Sequence, residues 1–384
     1  MEVNIGTSSH VVVNAHLLSG QDGYRSAGVH QYIYQLLDHL GKDSDDLRYT
    51  ALIGGATPPP NPAIATRRSK FSTHTAIRRV IWEQTILPWI LRDLQASLVH
   101  GPVFVAPVLS GCPSVVTIHD LSYIRLPGLF RRGNRLYLRL LARLSAQRAR
   151  RVIAVSSFTA RETTALLGVP PERIEVIYHG VRPEFAPLPG DQVQGYREHR
   201  GLPERFVLSL GTLEPRKNTL RLVEAFAQVR RDDTPLVIAG GRGWLYDELF
   251  ARIEDLSIAD SVHILGFVPQ EELPLLYNAA TVMAYPSLYE GFGLPILEAQ
   301  ACGTPVVCSN TSSLPEAAGD AAVFVDPRDV DSLAAGLDRL LQDQTLRDEL
   351  RSLGLRHASQ FDWYATARNT ARLYRSVLTE RGRR

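Results

Sequence analysis

The sequence predicts an α/β protein with two doubly wound parallel sheets, and its length, composition and strand pattern support that fold class. At 384 residues the chain is long for one hydrophobic core, so we expect two domains. Hydrophobic residues make up 45% of the chain and charged residues 21%, which is typical of a soluble globular protein. Short apolar runs rich in β-branched residues alternate with longer helical patterns, as buried parallel strands alternate with crossover helices.

The predicted strands form two groups of six. The first group is HVVVNA, YTALIG, SLVHG, SVVTIH, RVIAVS and IEVIYHG, and the second is RFVLSLG, PLVIAG, VHILG, TVMAYPS, TPVVCS and AAVFVD. We therefore expect Rossmann-like domains at 1–181 and 205–360, joined by a linker at 182–204 where proline, glycine and charge replace periodicity. Residues 361–384 predict a helix that packs back on the N-terminal domain.

Charge and cysteine content argue against several classes of protein. The formal net charge of +2 argues against a nucleic-acid partner held by bulk electrostatics. Three cysteines, Cys112, Cys302 and Cys308, cannot form a closed disulfide framework, which favours a reducing compartment. The chain begins without a basic segment followed by an apolar core, so we expect no signal peptide and a cytoplasmic location.

The segment YPSLYEGFGLPILEAQACGTPVV, 285–307, places Glu290 and Glu298 within an apolar stretch. A buried carboxylate costs free energy unless it is paired, so each glutamate needs a partner from the chain or from a ligand. Pro295 suits the first turn of a helix, which predicts a helix from about Leu294, with Glu298 in its first turn and Glu290 on the preceding loop.

The same segment has the chemistry of a ligand site. Gly291 and Gly293 permit a tight backbone and close approach of a ligand, and a helix N-terminus offers amide donors suited to phosphate. A carboxylate is suited to vicinal hydroxyls. The alternative is a Glu298 that only stabilises the helix dipole and a solvated Glu290.

The segment GTLEPRKN, 211–218, follows the first strand of the second half and carries adjacent cations, Arg216 and Lys217. Arginine can bind phosphate with two N–H groups, whereas lysine acts as a compact charge, so the pair suits a pyrophosphate. The alternative is a solvated surface pair.

Together, EPRKN, the 285–307 segment and SSLPEAAGDAAVFVDP resemble glycosyltransferase family 4. The resemblance covers nearly the whole chain, including VTIHD and VIAVSSFTA, and is strongest to the mannosyl-transferring branch. It implies a retaining enzyme of the GT-B fold, in which two Rossmann-like domains face a central cleft. The implied donor is a nucleotide-sugar co-substrate, with GDP-mannose favoured and UDP-hexoses open, and the implied acceptor is a saccharide or a lipid-linked saccharide.

The resemblance also implies roles for individual residues. Glu290 lies by the donor sugar, Glu298 binds the ribose hydroxyls, and Arg216 and Lys217 hold the pyrophosphate. Further implied donor-site residues are Gly28, Gly211, Phe267, Val268, Gly291, Phe292, Gly293 and Leu294.

Two polar residues end the strand SVVTI of the first half. By resemblance, His119 reaches the transferred sugar near its 6-hydroxyl, and Asp120 lies close to the acceptor. On the residues alone, a single strand-end histidine is more often a structural residue. His179 stands where many relatives have asparagine, and Gly28 follows Ala27 where relatives often have two glycines.

A basic stretch at 131–151 holds eight arginines, with Leu136, Leu140 and Leu144 at helical spacing. One interpretation is an ordinary domain helix with a charged outer face. The other is a helix that docks on an anionic membrane at the inner face, where a lipid-linked acceptor resides.

Other signals are weaker. Asp-x-Asp patterns at 43–45 and 329–331 are explained by solvation and helix capping, so we predict no essential metal. The segment AGGRGWL, 239–245, lacks the last glycine of a dinucleotide-binding fingerprint, although Gly240 and Gly241 can line the phosphate side. A nicotinamide-dependent oxidoreductase with two Rossmann domains and a noncatalytic sugar-nucleotide-binding module remain the alternative functions.

Overall fold

The computed structural model describes residues 8–18, 28–42, 46–54, 61–69, 71, 76–129, 132–241, 243 and 246–381. The chain divides into two compact units. The first unit is Met1–Gly180 together with Trp363–Arg384, and the second is Val181–Asp362. Each unit contains one parallel sheet with helices, as the sequence predicts.

The first unit contains a seven-stranded sheet of order β3-β2-β1-β4-β5-β6-β7. Its strands are β1 Ser9–Asn14, β2 Leu47–Ile53, β3 Ala65–Arg68, β4 Leu98–Gly101, β5 Ser114–Ile118, β6 Arg151–Ala154 and β7 Ile174–Val176. Its α-helices are α1 Val29–His39, α2 Ala76–Ile81, α3 Leu87–Asp93, α4 Ser122–Arg125, α5 Arg132–Arg148 and α6 Ser157–Glu162. Two π-helical turns, Trp82–Ile86 and Thr163–Leu167, and short 3₁₀ turns complete the unit, together with the C-terminal helix.

Helices cover both faces of this sheet because its central strands are apolar on both sides. In β1, Val11 and Val13 pack with α1, whereas Val12 packs with α3. The C-terminal helix, Trp363–Arg381, packs beside α1, and its Trp363 and Tyr374 are buried in the core of the first unit.

The second unit contains a six-stranded parallel sheet of order β10-β9-β8-β11-β12-β13. Its strands are β8 Val207–Leu210, β9 Leu236–Ala239, β10 Val262–Gly266, β11 Val282–Tyr285, β12 Val306–Ser309 and β13 Ala322–Val325. Its helices are α7 Gly190–Arg200, α8 Thr219–Val229, α9 Tyr246–Asp255, α10 Leu273–Ala279, α11 Leu294–Ala301, α12 Leu314–Ala318, α13 Val330–Gln342 and α14 Gln344–Ala358; the C-terminal helix of the first unit is α15. Strand order reverses between β8 and β11, and doubly wound sheets bind ligands at such a point.

Two elements differ from the sequence prediction. Segment 182–204 belongs to the second unit and contains α7, rather than forming a linker. The helix has weak periodicity because it buries only Val193 and Tyr196, which pack against α10. Strand β3 is also absent from the predicted strands, because its sequence ATRR is polar and it lies at the exposed edge of the sheet.

Candidate active site

Two loops of the second unit meet beyond the carboxyl ends of β8 and β11, which are neighbours in the sheet. The loop after β8 contains the 3₁₀ turn Pro215–Lys217, and the loop after β11 leads to α11. The backbone N–H of Leu288 donates to the carbonyl oxygen of Arg216 at 2.8 Å, which joins the two loops. The arrangement brings Arg216, Lys217 and Glu290 together.

Glu290 is the centre of this cluster. Lys217 Nζ donates to Glu290 Oε1 at 2.7 Å, and Arg216 Nη1 donates to Glu290 Oε2. The hydroxyl of Tyr285 accepts from Lys217 Nζ at 2.6 Å and donates to Glu290 Oε1 at 3.1 Å. Arg216 also donates through Nε and Nη2 to Glu214 Oε1, at 3.0 and 2.7 Å. The partner that a buried Glu290 requires is thus supplied by the chain, and Glu290 is not the solvated loop residue of the alternative interpretation.

The cluster keeps Glu290 ionised. Burial by itself raises the pKa of this carboxyl, but Arg216 and Lys217 outweigh burial and lower the pKa to about 2. Burial acts on Lys217 as well and lowers the pKa of its ammonium, against the opposing effect of Glu290. The two cations are balanced by Glu214 and Glu290, so the free cluster carries no net charge.

Hydrogen bonds from outside the cluster fix both loops. Ser313 Oγ donates to the carbonyl oxygens of Glu290 at 2.9 Å and Phe292 at 2.8 Å. Asn218 Nδ2 donates to the carbonyl oxygens of Pro286 at 3.1 Å and Pro327 at 2.7 Å. The charged side chains are therefore held by rigid backbone before any ligand binds.

Glycines of this unit allow close backbone contacts that position the same loops. A Cβ on Gly240 would lie 1.9 Å from the carbonyl oxygen of Gly211, and a Cβ on Gly243 would lie 1.9 Å from that of Leu213. Gly293 has φ of 114°, and a Cβ there would lie 2.9 Å from Leu314 Cδ2. The glycines after β9 thus support the loop that carries Arg216.

Glu298 has different partners from Glu290. The helix begins at Leu294, as the sequence predicts, and Glu298 is its fifth residue, just past the first turn rather than within it. Tyr277 Oη donates to Glu298 Oε2 at 2.9 Å. Burial raises the pKa of Glu298 to about 7, while the Tyr277 hydrogen bond and the charge of Arg182 act in the opposite direction. The dipole-stabilising alternative is therefore not supported.

The other expected donor-site residues of the second unit differ in exposure. Phe267 is exposed beyond β10, and Val268 is buried in the core. Gly291 and Phe292 are buried in the loop that carries Glu290, and Leu294 is half-buried at the start of α11.

In the first unit, His119 follows β5 directly and is buried. Its Nε2 lies 2.8 Å from the carbonyl oxygen of Pro102. A carbonyl oxygen only accepts, so Nε2 carries the proton. Burial lowers the pKa of His119, and the neutral ring therefore presents Nδ1 as an acceptor. The edge of Tyr32 packs against it, with ring centroids 4.7 Å apart.

The neighbours of His119 have mainly structural contacts. Asp120 Oδ1 accepts from Ser122 N at 2.9 Å and Ser122 Oγ at 2.6 Å, which fixes the turn into α4. His179 is buried and stacks on Tyr32 and Trp363, with ring centroids 5.0 and 5.5 Å apart. Gly28 has φ of 53° and precedes α1, and open space surrounds the position of a Cβ there. Ala27 lies outside the described residues.

Sequence reasoning did not identify Glu214, Tyr277, Tyr285 and Ser313 as site residues. Tyr285 could have been identified from the sequence, because its hydroxyl is a polar group at the end of an apolar strand. Tyr277 and Ser313 give no such signal, because they reach the site only through the packing of α10 and α12 on α11.

The described residues contain neither a metal-binding cluster nor a membrane-spanning helix. No group of three His, Cys, Asp or Glu side chains there is arranged to hold a metal ion. No helix in that part of the chain is long and apolar enough to span a bilayer. The Asp-x-Asp segment at 43–45 lies outside the described residues, and Asp329 caps α13 by accepting from the amides of Asp331 and Ser332.

Comparison with known proteins assigns the chain to a family. The model described as Glycosyl transferases group 1 matches residues 196–356, and the model described as Glycosyltransferase Family 4 matches residues 26–185. The O-antigen chain mannosyltransferase B of Escherichia coli is 36% identical over 291 residues, which cover 75% of this chain and 76% of that protein. The chain belongs to glycosyltransferase family 4. This family 4 chain is a glycosyltransferase, and the alternative of a nicotinamide-dependent oxidoreductase is wrong.

Solved structures confirm the predicted GT-B fold of this family 4 protein. Sucrose-phosphate synthase from Thermosynechococcus elongatus matches with a TM-score of 0.78 at 22% identity, covering 97% of this chain and 100% of the other. HepE from Anabaena, solved in complex with UDP-glucose, matches with a TM-score of 0.74 at 21% identity, covering 96% of this chain and 99% of the other.

Proposed function

We propose that this enzyme transfers a mannosyl group from GDP-mannose to a hydroxyl of a saccharide or lipid-linked saccharide, with retention at the anomeric carbon. The observation that carries the proposal is the buried cluster of Arg216, Lys217 and Glu290 at the strand ends of the second unit. The likeness to an O-antigen chain mannosyltransferase supports mannose as the sugar.

Arg216 and Lys217 are the proposed ligands of the donor's pyrophosphate. Within the described residues, the Lys217 ammonium makes two hydrogen bonds, so its third N–H can donate to a phosphate oxygen. The pair would stabilise negative charge that grows on the departing nucleotide, as fixed donors do for an oxyanion. Because these cations meet the charge of the leaving group, we expect transfer to survive EDTA; loss of activity that manganese restores would contradict this.

Glu290 has two proposed tasks. Its oxygens hold the two cations in place and also accept a hydrogen bond from Tyr285. A carboxylate has about four acceptor positions, and these oxygens would also accept a hydrogen bond from a hydroxyl of the transferred sugar. The negative charge, fixed by the low pKa, would also stabilise positive charge that develops on that sugar during transfer.

The remaining roles are assigned from position and chemistry. Glu298 would accept hydrogen bonds from the ribose hydroxyls, and the backbone at Phe267 and Val268 would lie beside the base. His119 would accept a hydrogen bond from the sugar's 6-hydroxyl through Nδ1. Asp120 would lie on the acceptor side, and Gly28 would let α1 approach the donor.

We also propose that the enzyme works in the cytoplasm, peripherally on the inner face of a membrane that holds a lipid-linked acceptor. The basic helix α5 supports this location, since all five charged residues within Arg132–Arg148 are arginines. Arg131, the first residue of the predicted basic stretch, lies outside the described residues.

A donor panel tests the proposal. Thermal unfolding is measured with GDP-mannose, UDP-glucose, ADP-glucose and a dTDP-sugar, because a ligand at about 100 times its Kd adds roughly 2.7 kcal/mol to stability. We expect GDP-mannose to give the largest rise in Tm and to release GDP in the presence of a mannosyl acceptor. A larger rise with a UDP-sugar would contradict the donor, and binding without turnover on any acceptor would favour the noncatalytic module.

A further inference from the structure

The exposed large apolar side chains of the first unit are concentrated on a few neighbouring elements. Five are between 48% and 82% exposed: Ile81, Trp89, Leu109, Leu136 and Leu140. Four of them lie on helices α2, α3 and α5, and Leu109 lies in the loop between β4 and β5. Among the described residues of the second unit, the large apolar side chains that are exposed are at most 44% exposed. Most soluble monomers do not group exposed apolar residues in this way, and such groups mark interaction surfaces.

Helices α3 and α5 cover the same face of the sheet. Val12 of β1 is paired with Val99 of β4, and Gly101, two positions further along β4, is paired with Val116 of β5. Side chains two apart along a strand share a face, so Val12, Val99 and Val116 all point the same way. Val12 and Val99 pack against α3, and Val116 packs in the cluster that contains Ala142 of α5.

Polar contacts join these elements into one surface. Glu83, in the turn between α2 and α3, interacts with Tyr137 of α5. Gln84 donates to the carbonyl oxygen of Ala106 at 3.3 Å and accepts from the amide of Val108 at 2.9 Å. Arg148 Nη1 donates to the carbonyl oxygen of Val108 at 2.9 Å. The loop that carries Leu109 is thereby held between the two helical segments.

The outer side of α5 is apolar as well as basic. Ala142 and Ala146 are buried against the sheet, whereas Leu136 and Leu140 face solvent. Two of the three leucines of the predicted stripe, Leu136 and Leu140, therefore lie on the outer side of the helix beside its charged residues.

The surface is strongly cationic. Segments 76–94 and 132–148 contain eight arginines and two acidic residues. One acidic residue, Glu83, is buried, and the other, Asp93, is paired with Arg67. Arg78, Arg92, Arg139, Arg143 and Arg148 are exposed.

We propose that this surface, formed by α2, α3, the 106–112 loop and α5, docks on an anionic lipid bilayer. We call it the docking face. The arginines lie at the level of the lipid phosphates, and Trp89, Leu109, Leu136 and Leu140 enter the headgroup region, which tryptophan and amphipathic helices favour. A second copy of the chain is a poor occupant, because pairing two such faces would oppose like charges. The inference extends the proposed function from α5 to a surface built from two helical segments and a loop.

Vesicle sedimentation tests the docking face. We expect the wild-type protein to sediment with vesicles of phosphatidylcholine that contain about 30% phosphatidylglycerol, a moderately anionic composition. It should not sediment with vesicles of phosphatidylcholine alone. Binding to the anionic vesicles should weaken as the salt concentration rises. Arg139→Ser/Arg143→Ser should reduce the bound fraction at least about fivefold, and Trp89→Ser/Leu109→Ser should do the same at constant charge.

Matched variants elsewhere serve as controls. Arg339→Ser/Arg356→Ser removes two exposed arginines of the second unit, and Phe324→Ser removes a half-exposed aromatic residue there. Both should bind vesicles as the wild type does. A blue shift of tryptophan fluorescence on vesicle binding should be lost in Trp89→Phe, although that variant still sediments.

The outcomes separate this proposal from the proposed reaction. Equal sedimentation of wild-type and docking-face variants, or equal binding to neutral vesicles, would overturn the docking face. A change of oligomeric state in these variants, without a change in vesicle binding, would show instead that the face joins two copies. Turnover of GDP-mannose on a lipid-free acceptor should be unchanged by the same substitutions; vesicle binding without any turnover would leave the docking face intact and refute the proposed transfer reaction.

Discussion

Lys217 and Glu290 lie 73 positions apart in the sequence, and Lys217 Nζ donates to Glu290 Oε1 at 2.7 Å. With Arg216 on the other carboxylate oxygen, the pair forms a preassembled, electrically balanced cluster at the ends of two neighbouring strands. A diphosphate that approaches it meets two cations already held in place, so little of the binding free energy is spent on ordering side chains.

Glu290→Gln should separate sugar transfer from nucleotide binding. The amide keeps the shape of the side chain but removes the charge that faces the sugar, so we expect turnover to fall by roughly two orders of magnitude. GDP affinity should stay within about threefold of wild type or become tighter, because a carboxylate no longer competes for Lys217 and Arg216.

Calorimetry with GDP and initial rates with GDP-mannose measure both effects. Glu272→Gln is the matched control, since it neutralises another Glu–Arg pair of the same unit, with Arg200, away from the cluster. A Glu290→Gln enzyme that loses GDP binding while it keeps normal turnover would reverse the assigned role.

The pKa of Glu298 predicts a pH dependence of nucleotide binding. Burial raises this pKa from its ordinary value of 4.5 to about 7, so the carboxyl is partly protonated in the free enzyme at neutral pH. Ribose hydroxyls bind the ionised form, and GDP affinity should rise as pH increases from 5 to 8, by up to about tenfold for each unit of pKa shift.

Glu298→Gln is the comparison. In this variant the pH dependence of GDP affinity that comes from ionisation of Glu298 should vanish, whereas the pH dependence that comes from the GDP phosphates should remain. The same raised pKa means that the stability contributed by Glu298 is fully present below 4.5 and is lost as pH rises through about 7. The free wild-type enzyme should therefore lose more Tm than the variant between pH 5 and 8, and parallel curves would refute the prediction.

His119→Phe should remove one specific contact with the donor sugar. The substitution keeps a ring beside Tyr32 but deletes the acceptor at Nδ1 and leaves the Pro102 carbonyl without its donor. We expect kcat/KM to fall by about ten- to a hundredfold, equivalent to roughly 1–3 kcal/mol. The wild type should discriminate against a 6-deoxy donor and the variant should not, whereas His39→Phe, a half-buried histidine of α1, serves as the control. Undiminished discrimination in His119→Phe would show that the ring contacts another part of the substrate, or none.

Gly240→Ala should disturb the loop that carries Arg216. A Cβ at this position would lie 1.9 Å from the Gly211 carbonyl oxygen, so the backbone must shift. We expect a lower Tm and at least about tenfold weaker GDP binding, the effect of one lost charge-assisted contact. Gly195→Ala is the control: it lies inside α7 in open space, and alanine should stabilise that helix by about 0.5–1 kcal/mol. Equal GDP affinity in both variants would show that the glycine contact does not position the loop.

The fold class could be predicted from the sequence because buried parallel strands appear as runs of consecutive apolar residues. Val11, Val12 and Val13 are apolar in succession since both faces of β1 are covered. Strand β3 and helix α7 lacked this signal, because the first is a polar edge strand and the second buries a single narrow side.

The candidate site was predictable by residue type and by resemblance, but its internal pairing was not. Arg216 and Glu290 could each be identified as candidates, whereas their contact depends on the adjacency of β8 and β11 in the sheet. The start of α11 at Leu294 was predicted correctly, but Glu298 is its fifth residue and lies just past the first turn in which it was expected. Tertiary pairing of this kind leaves no local pattern in the sequence.

The most direct test is to follow transfer from GDP-mannose to a mannosyl acceptor by proton NMR, which measures both the yield and the anomeric configuration of the product. The account predicts an α-linked product formed with release of one GDP per transfer, and loss of that product in Arg216→Ala/Lys217→Ala. A β-linked product, or transfer at the wild-type rate by the double variant, would contradict it.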